Sequence, residues 1–137
     1  MAVIRRLALG LAVLMMGACE HPRVGLDSVP TGTWGGDGGG LIVTAEGAHA
    51  HIGCTLGDVS GPIVLDAEGR FEVEGSWNVD AFPVNRGIVH PARISGRTDG
   101  ATLSLAVRLS DTGQSLGPVL LTHGREPRMQ NCPICRR

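Results

Sequence analysis

The feature that most limits what this chain can fold into is a period of two. Phe71 and Val73 alternate with Arg70, Glu72 and Glu74, and Ala92 and Ile94 alternate with Arg93, Ser95 and Arg97. Ala50, Ile52, Cys54 and Leu56 alternate with His49, His51, Gly53 and Thr55, and Leu41, Val43 and Ala45 with Ile42 and Thr44. Thr102–Leu109 is the cleanest case, with leucines and valine on one face and mostly polar groups on the other. Side chains of a strand point to opposite faces in turn, so this alternation builds half-buried strands. No segment sustains the 3.6-residue repeat of an amphipathic helix.

The breaks between these runs are turn-forming. Glu46-Gly47, Gly57-Asp58, Asp66-Ala67-Glu68-Gly69 and Ser110–Gly113 interrupt the alternation, and Asp99-Gly100 predicts a two-residue hairpin. Ile63–Leu65 predicts a further short strand, Trp77 to Phe82 a weaker one, and Pro83–Gly87 an exposed loop. Leu116–Thr122 predicts the last strand, with Pro118 near its start, where a missing N–H costs least. Seven or eight strands at about 12-residue spacing define an all-β fold. Short connections favour a small antiparallel up-and-down β-barrel. Closure removes exposed strand edges, and side chains about fill an eight-stranded interior, so a packed core is expected rather than a ligand cup. Gly61-Pro62-Ile63-Val64-Leu65 echoes Gly117-Pro118-Val119-Leu120-Leu121, an echo that chance in a glycine-rich chain explains without two equivalent halves.

One stretch delivers a tryptophan into this pattern: Gly32-Thr33-Trp34, followed by a glycine-laden run from Gly35 to Gly40 and the apolar Leu41-Ile42-Val43. The glycines are not a phosphate loop, because they precede a strand and the chain has no lysine. They read as relief of crowding at a bulge or barrel corner. Gly32-Thr33-Trp34 resembles the Gly-x-Trp opening of lipocalin-like (calycin) barrels. That resemblance implies a tryptophan closing one barrel end beneath an arginine from a late strand, here Arg125 or Arg128, by cation–π stacking. Trp34 is structural on this reading and equally as a plain core residue.

The first residues have a different character. Arg5 and Arg6 precede an apolar run from Leu7 to Met15, then Met16-Gly17-Ala18-Cys19. The run is shorter than the roughly 20 residues of a membrane-spanning helix and has the layout of an export signal. It resembles the leader of bacterial lipoproteins, whose lipobox ends in the cysteine that is acylated and becomes the mature N-terminus. The resemblance implies a signal peptide over 1–18, general secretory export and a lipidated Cys19. Several acyl chains anchor stably, at about 0.8 kcal/mol per buried methylene. In such lipoproteins an aspartate after the cysteine favours inner-membrane retention; Glu20 therefore implies the outer membrane, facing the periplasm. Residues 19–30, with two prolines, read as a flexible tether, 31–128 as the barrel, and 129–137 as a tail with a Cys-x-x-Cys.

Charge and composition exclude some functions. The formal net charge is −1, and loss of two of the 12 arginines with the leader leaves 10 basic against 13 acidic residues, near −3. No basic tract is present, which argues against nucleic acid. Two tryptophans, two phenylalanines and no tyrosine leave little for base stacking. No cofactor motif is found.

Four cysteines are present. With Cys19 lipidated, an exported compartment permits disulfides among the rest. Cys54–Cys132 is the favoured pair, Cys54–Cys135 the next, and Cys132–Cys135 a further alternative. Cys132-Pro133-Ile134-Cys135 has thioredoxin-type spacing, but that chemistry needs a helix N-terminus to lower the thiol pKa, and the motif sits two residues from the end with nothing helical after it. His49-Ala50-His51 puts two imidazoles on one strand face, a geometry that chelates metals, but a full site needs a third ligand; His90, His123, Cys132 and Cys135 are candidates the sequence cannot place. Two solvated histidines are the simpler reading. Asp111-Thr112-Gly113 matches the aspartic-protease triplet, whose aspartate works in a paired dyad; here it fits a hairpin turn. Glu72 and Glu74 read as a solvated face. No catalytic residue is assigned.

These residues lead to a lipid-anchored, non-enzymatic envelope protein with a binding or structural role. The alternatives are an inhibitor of a periplasmic hydrolase (a protease or lysozyme), and a metal-binding or thiol-active envelope protein. The expected partners are the membrane, through the lipid, and an envelope or periplasmic protein.

Overall fold

A computed structural model describes residues 25–81 and 84–129. The leader with Cys19, Phe82, and the tail with Cys132 and Cys135 lie outside these residues. Eight strands follow in order: β1 Gly32–Gly36, β2 Gly39–Val43, β3 Gly47–Ile52, β4 Thr55–Ser60, β5 Arg70–Asn78, β6 His90–Thr98, β7 Thr102–Leu109 and β8 Ser115–His123. Each pairs antiparallel with the next, and β8 returns to β1 through Trp34↔His123 and Gly35↔Thr122. The result is a closed up-and-down barrel, with no helix among the described residues.

The alternation read from the sequence sorts most of the side chains, but the run from His49 to Leu56 is not one strand broken at Gly57-Asp58. Gly53-Cys54 turn the chain and Gly57-Asp58 lie inside β4, so Gly57 and Val59 face the core in place of Leu56, and Ala45 is exposed in the preceding turn. Leu41 and Val43, Ala48, Ala50 and Ile52, Ala92 and Ile94, and the four apolar residues Leu103, Leu105, Val107 and Leu109 are all buried in one core. Two tryptophans, Trp34 and Trp77, are wholly buried, and each indole N–H has a partner: Pro30 O at 3.0 Å and Thr55 Oγ1 at 2.9 Å. Room for the Trp77 ring comes from its cross-strand neighbour. Gly57 lies opposite Trp77 in the β4–β5 register, and a methyl group on Gly57 would collide with the ring and with the Ser76 carbonyl.

Each end of the barrel is closed by chain. At the lower end, where the chain enters, Val29 N–H donates to Ile63 O and Leu65 N–H to Asp27 O, both at 2.9 Å. Val29, Ile63 and Leu65 are thereby buried. At the upper end Ala81 is buried beside the core, and the buried Asn78 side chain holds the following loop by donating to Asn85 Oδ1 at 2.9 Å.

Several expectations need correction. Ile63–Leu65 is not a strand; it makes a single bridge, Val64 to Ser28, because it is spent on closing the lower end. For the same reason the folded body begins before Thr31: Asp27–Pro30, read as tether, pack against the barrel. Trp77 belongs to one nine-residue strand with Phe71 and Val73, not to a separate weaker one. The Asp99-Gly100 turn is wider than two residues, since the pairing closes at Thr98↔Leu103. Pro118 sits not near the start of β8 but at a register shift against β7, where a proline removes no ladder bond. The echoing segments, by contrast, occupy a loop and a strand, in keeping with chance similarity rather than two equivalent halves.

The glycine run is also corrected. It is neither a bulge nor a corner but a hairpin: Gly36 pairs with Gly39, and the turn places Gly38 at φ +79°, a region that favours glycine. Gly35 and Gly40, opposite one another in register, carry the chain that leaves the barrel. Methyl groups there would strike the Arg125 carbonyl and the Pro127 ring respectively. The segment Arg125–Arg128 thus lies as a strap along β1 and β2, ending with Arg128 N–H on Gly36 O at 2.9 Å and Gly38 N–H on Arg128 O at 2.8 Å.

Two predictions follow from these contacts. Gly57→Ala overpacks the core and lowers stability by about 1–3 kcal/mol, read as a lower urea midpoint at unchanged slope. The second concerns acid. Backbone N–H donors from Arg70 and Thr102 hold Asp66 and Asp99 below their usual value of 3.8, and a hydrogen bond from His90 does so for Asp111. The unfolded chain takes up these protons first, so the contribution is present above about pH 3.8 and is lost as pH falls through the lower folded values. The urea midpoint therefore drops below that pH, and Asp99→Asn makes the drop shallower.

Candidate functional site

The core consumes the inward faces, so chemistry has only the outer wall and the end loops. On that wall β3 and β4 carry a cluster of two histidines and a carboxylate. His49 and Asp58 are direct cross-strand partners, and the period of two carries His51 to the same face. His49 Nδ1 lies 2.7 Å from Asp58 Oδ1, and His49 Nε2 lies 2.9 Å from His51 Nε2. The two rings stand nearly perpendicular, at 77°, with centroids 4.8 Å apart.

The carboxylate settles the proton arrangement by elementary accounting. Ionised Asp58 only accepts, so His49 donates through Nδ1–H. In neutral His49 this leaves Nε2 with a free lone pair directed at His51. His51 is held below its ordinary value of 6.5, first by burial and then by the His49 charge, with Asp58 acting in the opposite sense. A groove of about 280 Å³ flanks His49 on the side away from His51, with walls that include Ile42, Thr44, Glu46 and Asp58.

The other residues raised as ligands are placed elsewhere. His90 Nδ1 is 2.8 Å from Asp111 Oδ2, and His123 Nε2 is 2.9 Å from Thr31 O. Among the described residues no three His, Cys, Asp or Glu side chains are grouped to hold a metal. Cys54 lies in the turn between β3 and β4 and is not a free thiol; Cys132 and Cys135 are outside the described residues.

Trp34 is buried, but the ring set against it is His123, with centroids 4.6 Å apart at 53°. The expected arginine is replaced because β8 ends at His123 in register with Trp34. Arg125 instead reaches Asp37, at 3.5 Å. Glu72 and Glu74 do lie on an exposed face, both within reach of Arg93 at 3.3 and 3.9 Å. Asp111 is a turn residue paired with His90.

Sequence reasoning missed a second concavity, of about 840 Å³, at the lower end of β5–β7. It lies between the outer faces of these strands and the Val64–Asp66 segment. Ser95, Ser104 and Ala106 line it, with Val64, Arg70 and Arg97 among its other walls. Small outward residues on three strands look like ordinary solvated positions, so no local pattern announced it. Both guanidiniums have partners: Arg70 Nε donates to the Asp66 carboxylate (Oδ2) at 3.0 Å and Arg97 Nε to the Glu68 backbone carbonyl at 3.2 Å.

Compared with known proteins, the chain gives no match to a family model, a curated protein or a solved structure.

Proposed function

We propose that this is a lipid-anchored envelope protein whose small barrel binds or braces another envelope component without catalysing a reaction. The observation that carries the binding role is the filled interior. Trp34, Trp77, Leu103, Leu105, Leu109 and Leu121 are completely shielded from solvent, so recognition falls to the outer wall and the loops. The anchoring rests on the leader, Arg5-Arg6 through Cys19. Cys19 precedes Gly25 by six residues, a reach of at most about 20 Å, so the lower end would face the bilayer.

In that orientation the loop after β5 points away from the membrane. Val84, Ile88 and Val89 are exposed there, an apolar tip at the position best suited to meet a protein partner. This tip favours, as a second reading, the inhibitor of a periplasmic hydrolase, which works through a projecting loop. Cys54 fits the same picture of an exported domain. Its neighbour Gly53 donates to Gly38 O, and Gly38 donates to Arg128 O, each at 2.8 Å. Cys132 is four residues beyond Arg128, within about 14 Å, so a Cys54–Cys132 disulfide would pin the strap over β1 and β2. Cys135 is the alternative partner.

The test is fractionation with intact-mass measurement. The wild-type chain is expected in the membrane fraction of a Gram-negative host, with an acylated N-terminus at Cys19 and a mass deficit of one disulfide. Cys19→Ser is expected to lose the acyl mass and the mature membrane-bound form. A mature protein carrying an unmodified Cys19 thiol would overturn the anchor. Recovery of one hydrolase in stoichiometric amount, lost in a Val84→Ser/Ile88→Ser/Val89→Ser variant, selects the inhibitor reading.

A further inference from the structure

We propose that His49 and His51 form a surface chelate for a divalent transition-metal ion with tetragonal preference, Cu(II) before Ni(II), oriented by Asp58. The inference is independent of the lipid anchor and of any protein partner.

Three observations carry it. The first is the convergence of two Nε2 atoms at 2.9 Å. An ion about 2.0–2.1 Å from each nitrogen would see them at an angle of about 90°. That is the cis angle of a square-planar or tetragonal site, which nitrogen ligands give to Cu(II) or Ni(II). Either ion requires the rings to turn so that both lone pairs meet at the metal; a tetrahedral ion such as Zn(II) takes a wider angle and so, in addition, a larger nitrogen separation than 2.9 Å. The order of divalent affinities points the same way, because Cu(II) stands at its maximum.

The second observation is the carboxylate behind the first imidazole. Asp58 Oδ1 accepts from His49 Nδ1 at 2.7 Å, the relation by which a carboxylate fixes the tautomer of a ligating histidine and raises its basicity. A cross-strand register puts it there, His49↔Asp58, so the orienting group belongs to the rigid wall of the barrel. The third is backbone rigidity. β3 is paired on both sides, with β2 and with β4, so the two Cα atoms are held at the spacing of one strand repeat before any ion arrives.

The binding step balances simply. Neutral His49 offers Nε2 without losing a proton. His51 must present Nε2 unprotonated, so the ion displaces the proton shared between the two nitrogens, which moves to His51 Nδ1 or to solvent. Two protein nitrogens fill two cis positions. Water, or a donor group of a further ligand, completes the shell.

The test uses the full mature chain with its free thiols alkylated, titrated with Cu(II) alone and followed by calorimetry and electron paramagnetic resonance. The expected result is one Cu(II) per chain, with a tetragonal spectrum showing two equatorial imidazole nitrogens. His49→Ala and His51→Ala are each expected to weaken binding at least tenfold, and Asp58→Asn by about tenfold. His90→Ala and His123→Ala leave it unchanged. His49, His51 and Asp58 are surface or half-exposed positions, and circular dichroism confirms the fold of each variant. No binding at about 100 μM Cu(II), a spectrum with a single imidazole nitrogen, or equal affinity in His49→Ala and wild type would each overturn the proposal.

Discussion

The structure depends on one seam. β8 meets β1 through two register pairs, Trp34↔His123 and Gly35↔Thr122, far fewer than join β5 to β6 or β6 to β7. Without it the sheet would present two open edges, each a row of unpaired N–H and C=O groups. The seam is supported from both sides. Inside, Trp34 is packed under His123 and tied to Pro30 O. Outside, the strap Arg125–Arg128 crosses Gly35 and Gly40 and is bonded to the hairpin at Gly36 and Gly38. The residues at this seam are small because two layers of chain must approach one strand pair closely. The glycine-rich opening is the cost of closing a barrel with so few bonds.

A barrel of this size spends its interior on itself. Trp77 over Gly57 and Phe71 beside Gly96 show large rings lodged opposite residues without side chains, a way of filling a narrow, tapering core to the density of a solid. What is left for function is an outer wall whose geometry is unusually well determined, because every strand is flanked by two others. The His49–His51–Asp58 cluster inherits that rigidity. A loop would have to order itself before it could hold an ion or a partner; a strand inside a closed sheet has already lost that freedom in folding. Placing the cluster on β3 and β4, with the chain entering at the opposite end from the Val84–Val89 loop, separates three surfaces on one small body.

Much of this was legible in advance, for reasons that are local. The inward set on β7, Leu103 to Leu109, followed from a period of two. The two solvent-facing histidines of β3 followed from their offset of two residues from each other and one from Ile52. Other features were not legible. Nothing near Ile63 distinguishes a core strand from a segment that plugs the barrel end, since both bury an aliphatic run. An arginine was expected over Trp34 by resemblance, whereas the register of β8 delivered His123. Asp58 looked like a turn breaker beside Gly57; it became a partner of His49 only when β3 and β4 paired.

The sequence by itself determined the class of fold and the division into inner and outer faces, because alternation is a property of neighbouring residues and needs no knowledge of the partner strand. Only the tertiary structure decided which residues meet across strands: Asp58 with His49, His123 with Trp34, Pro127 over Gly40. The physical reason is that register and barrel closure are set by pairings between segments tens of residues apart. Those pairings are chosen by the packing of the whole core, to which each local stretch contributes only a fraction.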